Sequence, residues 1–141
     1  MKEFTYFIIT PGDEVGSFVS YPDGETGCYI KFGDQKSDHE DSEGIRKQYL
    51  THNPDIGIAA VMDSTCFSNP YLGTRLKNYI IDELKEKPVG TTEWFSFENG
   101  AAWKLFKAMQ SWDEKVLDDN DYAKLTTLIK KHLGAVERVS P

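Results

Sequence analysis

The chain has 141 residues, a net charge of −7, and 39% hydrophobic, 13% aromatic and 28% charged residues. That length suits one domain with a real core, and that composition excludes disorder, which needs fewer aromatic and apolar residues. No apolar run approaches the ~20 residues of a membrane span, and Met1-Lys2-Glu3-Phe4 lacks the basic start and long apolar run of a signal peptide, so an intracellular protein is expected.

The charge is unevenly spread. Residues 1–97 hold nine Lys and Arg against sixteen Asp and Glu, a charge of −7, while residues 98–141 hold seven of each. Phosphate neutralisation supplies most of a nucleic-acid binder's non-specific affinity, so the acidic balance disfavours nucleic acid as a partner. Cys28 and Cys66 each sit in an apolar stretch and read as buried thiols, with no Cys/His spacing for zinc.

Phe4 to Ile9 reads as a strand with both faces largely apolar, hence a central one, ended by Pro11-Gly12. Ser17 to Tyr21 reads as a short strand before the turn Pro22-Asp23-Gly24. Cys28 to Phe32 is the next strand, bracketed by Gly27 and Gly33 and antiparallel to an earlier one. The acidic stretch Asp34–Gly44 leads to a short helix capped by Asp41 or Ser42, with Ile45 and Tyr49 on its buried side. Asp55 to Met62 is a strand. Asn69-Pro70 opens a helix over 70–86 carrying Leu72, Leu76 and Ile80. Thr91 to Phe97 is a strand anchored by Trp94. Asn99 caps a helix with Trp103, Phe106, Met109 and Trp112. Asp118–Asp121 caps a last one with Leu125, Leu128, Ile129 and His132, stopped by Gly134.

This order predicts an α+β fold: a small, mostly antiparallel sheet flanked by helices. A division near residue 98 separates a mixed module, 1–97, from a C-terminal helical extension, 98–141, packed on it.

Several residues in that order carry a resemblance. Tyr6 lies in an aromatic first strand, Tyr29-Ile30-Lys31-Phe32-Gly33 ends the second, and Ile45-Arg46-Lys47-Gln48-Tyr49 lies on a short helix. A strand, a long helix and Glu93-Trp94-Phe95 follow. The pattern, over residues 4–97, resembles the GIY-YIG nuclease superfamily, in the phage and giant-virus subgroup whose second motif reads Lys-Ile-Gly and whose domain closes on Glu-Trp-Phe. The resemblance implies single-metal phosphodiester hydrolysis, with the metal as Lewis acid and an arginine stabilising phosphoryl charge. It assigns Tyr6 to the first tyrosine, Lys31 to the second-motif tyrosine position, Gly33 to the motif glycine and Arg46 to the helix arginine. It also puts Lys77 where the metal-binding glutamate belongs. A lysine there cannot ligate Mg²⁺ and repels it. Glu83 and Glu93 are the substitutes if the chain is active.

Each of these residues also has a plain structural reading. Tyr6 suits a core strand, Gly33 a strand end, and Arg46 a solvated helix face. Lys31, flanked by Ile30 and Phe32, either points to solvent or lines a site. His39 lies in an acidic loop that matches no metal motif, His52 near a helix end, and His132 on an apolar stripe. Trp94, Trp103 and Trp112 read as core or interface anchors rather than base-stacking platforms, and Trp103, Phe106 and Trp112 are the candidates for a partner surface.

The expectation is therefore a degenerate GIY-YIG-like protein, non-catalytic, structural or protein-binding, in the setting of a large DNA virus that the resemblance suggests. No cofactor is expected, and Mg only for an active nuclease. The competing readings are an active Mg-dependent endonuclease and an unrelated small α+β binding domain.

Overall fold

The computed structural model describes residues 2–11, 28–37, 42–52, 57–68, 70–88, 91, 93–97 and 99–134. In chain order these form β1 (Lys2–Pro11), β2 (Cys28–Ser37), α1 (Glu43–His52), β3 (Gly57–Asp63) and α2 (Leu72–Asp82). There follow β4 (Phe95–Phe97), α3 (Asn99–Met109), a 3-10 turn (Gln110–Trp112) and α4 (Asp121–Leu133). The class is α+β, as expected. The expected strand at Ser17–Tyr21, its turn at residues 22–24, His39 and the tail beyond 134 lie outside the described residues.

The strands form one antiparallel sheet in the order β3-β1-β2-β4. β1 is central because it is rich in β-branched and aromatic residues on both faces. Its register with β2 sets Tyr6 opposite Gly33, Phe7 opposite Phe32 and Ile8 opposite Lys31. β4 pairs only with Cys28 to Ile30, so the longer half of β2 extends past it.

The two faces of the sheet are covered unequally. One face carries Phe7, Ile9, Ile30, Phe32, Met62 and Phe95 into a single large core. Leu72, Leu76 and Ile80 enter that core from α2, one helical turn apart, with Leu105 and Met109 from α3 and Leu125, Ile129 and Leu133 from α4. The helices after residue 98 thus complete the main core. The opposite face holds a smaller cluster of Phe4, Tyr6, Ile8 and Val61 under Ile45 of α1, with Trp94 packed at its side.

Beyond the 3-10 turn the chain lies along the outer edge of β3. Glu114 N donates to Val61 O, Asp63 N to Lys115 O, and Leu117 N to Asp63 O, forming a parallel bridge at Asp63 and Val116. An edge strand's unpaired backbone groups are covered this way.

Several expected details differ. α2 begins at Leu72 rather than Pro70, after Tyr71 in the left-handed region at φ 65. Its first amides are capped from another element, as described below. Ser42 stands at the α1 start, but its hydroxyl serves Arg46 and Glu114. On α4, Leu133 is buried while His132 is half-buried. Cys66 is free and exposed, not a buried thiol, because it lies in the turn after β3.

Candidate functional site

The site begins with a close approach of two glycines. A Cβ on Gly33 would lie 2.3 Å from Cζ and Oη of Tyr6. A Cβ on Gly73 would lie 2.6 Å from the backbone carbon and oxygen of Gly33. The Tyr6 ring and the first turn of α2 therefore both close directly on Gly33. Only residues without side chains permit that spacing.

Asp34, next along β2, fixes the helix. Its carboxylate accepts from Gly73 N at 2.6 Å, Thr74 N at 2.9 Å and Thr74 Oγ1 at 3.2 Å. It also accepts from Thr5 Oγ1 at 3.2 Å, and that hydroxyl lies 3.0 Å from Ser64 Oγ. Four amides are orphaned at a helix start and the dipole there favours an anion, so Asp34 caps α2 from a strand.

With α2 held there, Thr74 and Lys77 overhang the part of β2 that β4 does not reach. They share a cavity of about 390 Å³ with Tyr6, Gly33, Asp34 and Glu93. Lys31 Nζ lies 3.2 Å from Glu93 Oε2, and Lys77 Nζ lies 3.8 Å from Glu93 Oε1. The lysine side chains are 18% and 24% exposed, whereas Glu93 is 57% exposed. Two sheltered cations thus share one carboxylate that reaches in from the solvent side. At the far end of the cavity Lys36 faces Glu3 at 3.8 Å and lies over the exposed Tyr71 ring.

The structure brings Tyr6, Lys31, Gly33, Lys77 and Glu93 together. Arg46 is engaged elsewhere. Its guanidinium pairs with Asp113 and, at 2.8 Å, with Glu114, and its Nε donates to Ser42 Oγ at 3.3 Å. Asp113 also accepts from Val61 N at 2.8 Å, which binds this group to β3. Burial works against the Arg46 charge, but the hydrogen bonds it donates to Asp113 and Glu114 outweigh it and hold its pKa above the ordinary value. Arg46 is thus a tie between α1 and the segment covering β3, rather than a residue on a solvated face.

Glu83 is the C-cap residue of α2, exposed and outside the cavity lining. Trp103 is 40% exposed and stands edge-on to Phe106, with ring centroids 5.1 Å apart. Phe106 and Trp112 are half-buried against the large core, and Lys115 lies 4.6 Å over the Trp112 ring.

Sequence reasoning missed three partnerships. Asp34 as the cap of α2 was one, and the Asp113–Glu114 pair as the seat of Arg46 was another. The third was the cross-strand pair Tyr29 and Ser96, whose buried hydroxyls make no hydrogen bond among the described residues. Burial raises the Tyr29 pKa. The signal for Asp34 was present: an acid at a strand end and a helix start with no capping side chain of its own.

The chain's fold is α+β, and its site is a lysine-lined cleft at a strand edge. No family model, curated protein or solved structure matches it. The resemblance implies a divalent metal at this cleft. Among the described residues no group of three or more His, Cys, Asp or Glu is placed to hold a metal ion. Glu93, the carboxylate of this cleft that pairs with Lys31, also pairs with Lys77, and two ammonium groups there oppose a cation. These residues do not fit a divalent metal as they stand.

Proposed function

We propose that this chain is a non-catalytic structural or protein-binding protein built on a degenerate GIY-YIG-like scaffold. One observation carries the reading: Lys77 reaches the cleft of Tyr6 and Gly33 and shares Glu93 with Lys31. A lysine at that place supplies charge to bind an anionic group and no ligand for a metal. The acidic balance of residues 1–97 argues for protein over nucleic acid as the partner. A component of a large DNA virus is the setting the resemblance suggests.

An active endonuclease is the second reading, favoured by the exposed Glu93 carboxylate at the mouth of the same cleft. Plasmid nicking with Mg²⁺ or Mn²⁺ separates the two. The scaffold reading expects no metal-dependent cleavage. Cleavage by the wild-type protein that is abolished in Glu93→Gln overturns it.

A further inference from the structure

The two long helices after residue 98 carry a charge pattern of their own. Residues 99–112 and 122–134 hold five lysines and no Asp or Glu, although the whole chain stands at −7. The acids between them are confined to residues 113–121, from the end of the 3-10 turn to the start of α4. α3 and α4 share the large core through Leu105 and Met109 and through Leu125, Ile129 and Leu133. Away from those buried stripes, Lys104 and Lys107 lie one turn apart on α3, and Lys124 and Lys131 lie two turns apart on α4, all exposed. Lys124 faces Asp121 at 4.0 Å, whereas Lys104, Lys107 and Lys131 make no ion pair among the described residues. Trp103, 40% exposed, stands four positions before Lys107 on the same helix.

His132 shows that the packing of the two helices brings these charges together. It is half-buried on α4. Its pKa is lowered by burial first, then by the charges of Lys131 on its own helix and of Lys104 on α3. Helix dipoles favour Lys107 and Lys131, which lie in last turns. Lys104 lies mid-helix and adds repulsion that no nearby acid offsets. Like charges gathered in this way make a surface that an anionic partner stabilises.

We propose that Trp103, Lys104 and Lys107 of α3, with Lys131 of α4, form a docking face for a short acidic segment of a partner protein. The partner's carboxylates lie among the lysines, and an apolar side chain packs on the Trp103 ring. The proposal rests on the protein-binding reading above and names its surface and the partner's chemistry. An exposed indole supplies the anchor, and the lysines around it supply the selection for acid. A short acidic segment fits this face better than nucleic acid does, for two reasons. Residues 99–134 contain no arginine, the side chain that grips phosphate with two parallel hydrogen bonds. A long polyanion is also repelled by residues 1–97, which carry −7.

The probe is a twelve-residue peptide repeating Glu-Glu-Leu, added to the full chain at low ionic strength, where surface charge is least screened. The comparisons are the matching Gln-Gln-Leu peptide, a single-stranded DNA of the same charge, and vesicles of anionic phospholipid. The Glu-Glu-Leu peptide is expected to shift amides of residues 103–107 and 128–132. It is also expected to raise the His132 pKa, read from the titration of its ring protons, because bound carboxylates offset Lys104 and Lys131. Lys104→Gln with Lys131→Gln is expected to weaken binding about fivefold or more, and Trp103→Ser by a similar factor. Circular dichroism checks that each variant keeps its fold, and the wild-type comparisons decide the matter even where one does not. Equal binding of Gln-Gln-Leu, tighter binding of the DNA or the vesicles, shifts away from α3 and α4, or an unmoved His132 pKa each overturn the proposal. No peptide binding, with no metal-dependent nicking, refutes this surface alone, while nicking lost in Glu93→Gln refutes the scaffold reading itself.

Discussion

The molecule has two ionic centres flanking Tyr6, and they are built in opposite ways. At Arg46 one cation is held by two carboxylates and a serine hydroxyl, and those groups are tied to β3 through Val61. At Glu93 two cations share one exposed carboxylate over an open cavity. The first is saturated and joins elements far apart in sequence. The second is under-supplied with acid and joins groups that other contacts already hold. A charge with all its partners stabilises the fold, whereas a charge lacking acid is available to a ligand. The comparison assigns structure to the arginine and leaves the two lysines as the less committed charges.

The largest expected effect concerns what positions the lysine centre. Gly73→Ala places a methyl group against the Gly33 carbonyl, whose carbon and oxygen are backbone, and 2.9 Å from the Asp34 carboxylate that caps the helix. Helix propensity alone would make this change favourable by about 1 kcal/mol. Overpacking against backbone on a crowded face reverses the sign and costs about 3 kcal/mol. Urea unfolding at constant m-value measures the difference. A stabilised Gly73→Ala protein would show that α2 is free to rise off β2, and the geometry at Lys77 would lose its basis.

Arg46→Met follows, at about 1 to 2 kcal/mol destabilising. Charged hydrogen bonds contribute more than neutral ones, and their loss leaves Asp113 and Glu114 facing each other, with partial exposure moderating the cost. Glu114 adds to it, because its backbone sits at φ 64, a left-handed region that disfavours a glutamate, and the Arg46 pair helps hold it there. A change below about 0.5 kcal/mol would place this arginine with ordinary surface pairs and erase the contrast.

Acid probes the same side of the sheet. Asp63 is on the β3 edge that residues 113–117 cover. Its burial disfavours the charge, but hydrogen bonds from Thr65 and the Lys2 ammonium prevail and lower its pKa below the ordinary 3.8. A lowered folded value means that the stabilisation is complete above about 3.8 and is lost as pH falls through the folded value. Asp63→Asn is expected to lower stability near neutrality, where the ionised carboxylate contributes fully, and to flatten the stability profile in that window. An unaltered acid limb would show that the edge cover does not depend on this carboxylate.

What the sequence disclosed follows the range of the forces involved. Strand pairing was legible because alternation and two glycines mark β1 and β2, and the pairing placed Tyr6 beside Gly33 and Lys31 without further information. Lys77, which lines the same cleft, was named only through the resemblance, and no local pattern marks it. The acids were not legible. Arg46 meets Asp113 and Glu114 across 67 and 68 positions, and Asp34 caps α2 from 39 and 40 positions away. No local pattern encodes such partners, since each depends on where a turn delivers the chain after the core has formed. Glu93 was named as a metal ligand if active, but its role between two lysines needed the third dimension. Cys66 was misjudged because its apolar neighbours, Phe67 among them, turn inward while the thiol faces solvent.

Lys77→Met carries the smallest expected effect and the sharpest comparison. Its ammonium is 3.8 Å from a carboxylate that is itself 57% exposed, so water screens the pair and competes for both ends. Such pairs contribute roughly 0.2 to 1 kcal/mol, and Lys31 keeps Glu93 at 3.2 Å when Lys77 is gone. The methionine also preserves most of the apolar stem that packs along α2. Stability is therefore expected to change by less than about 0.5 kcal/mol, against 1 to 2 for the arginine. A loss as large as that of Arg46→Met would make Lys77 a structural member of the fold. A small change sets this water-screened pair apart from the arginine that holds α1 to the β3 edge.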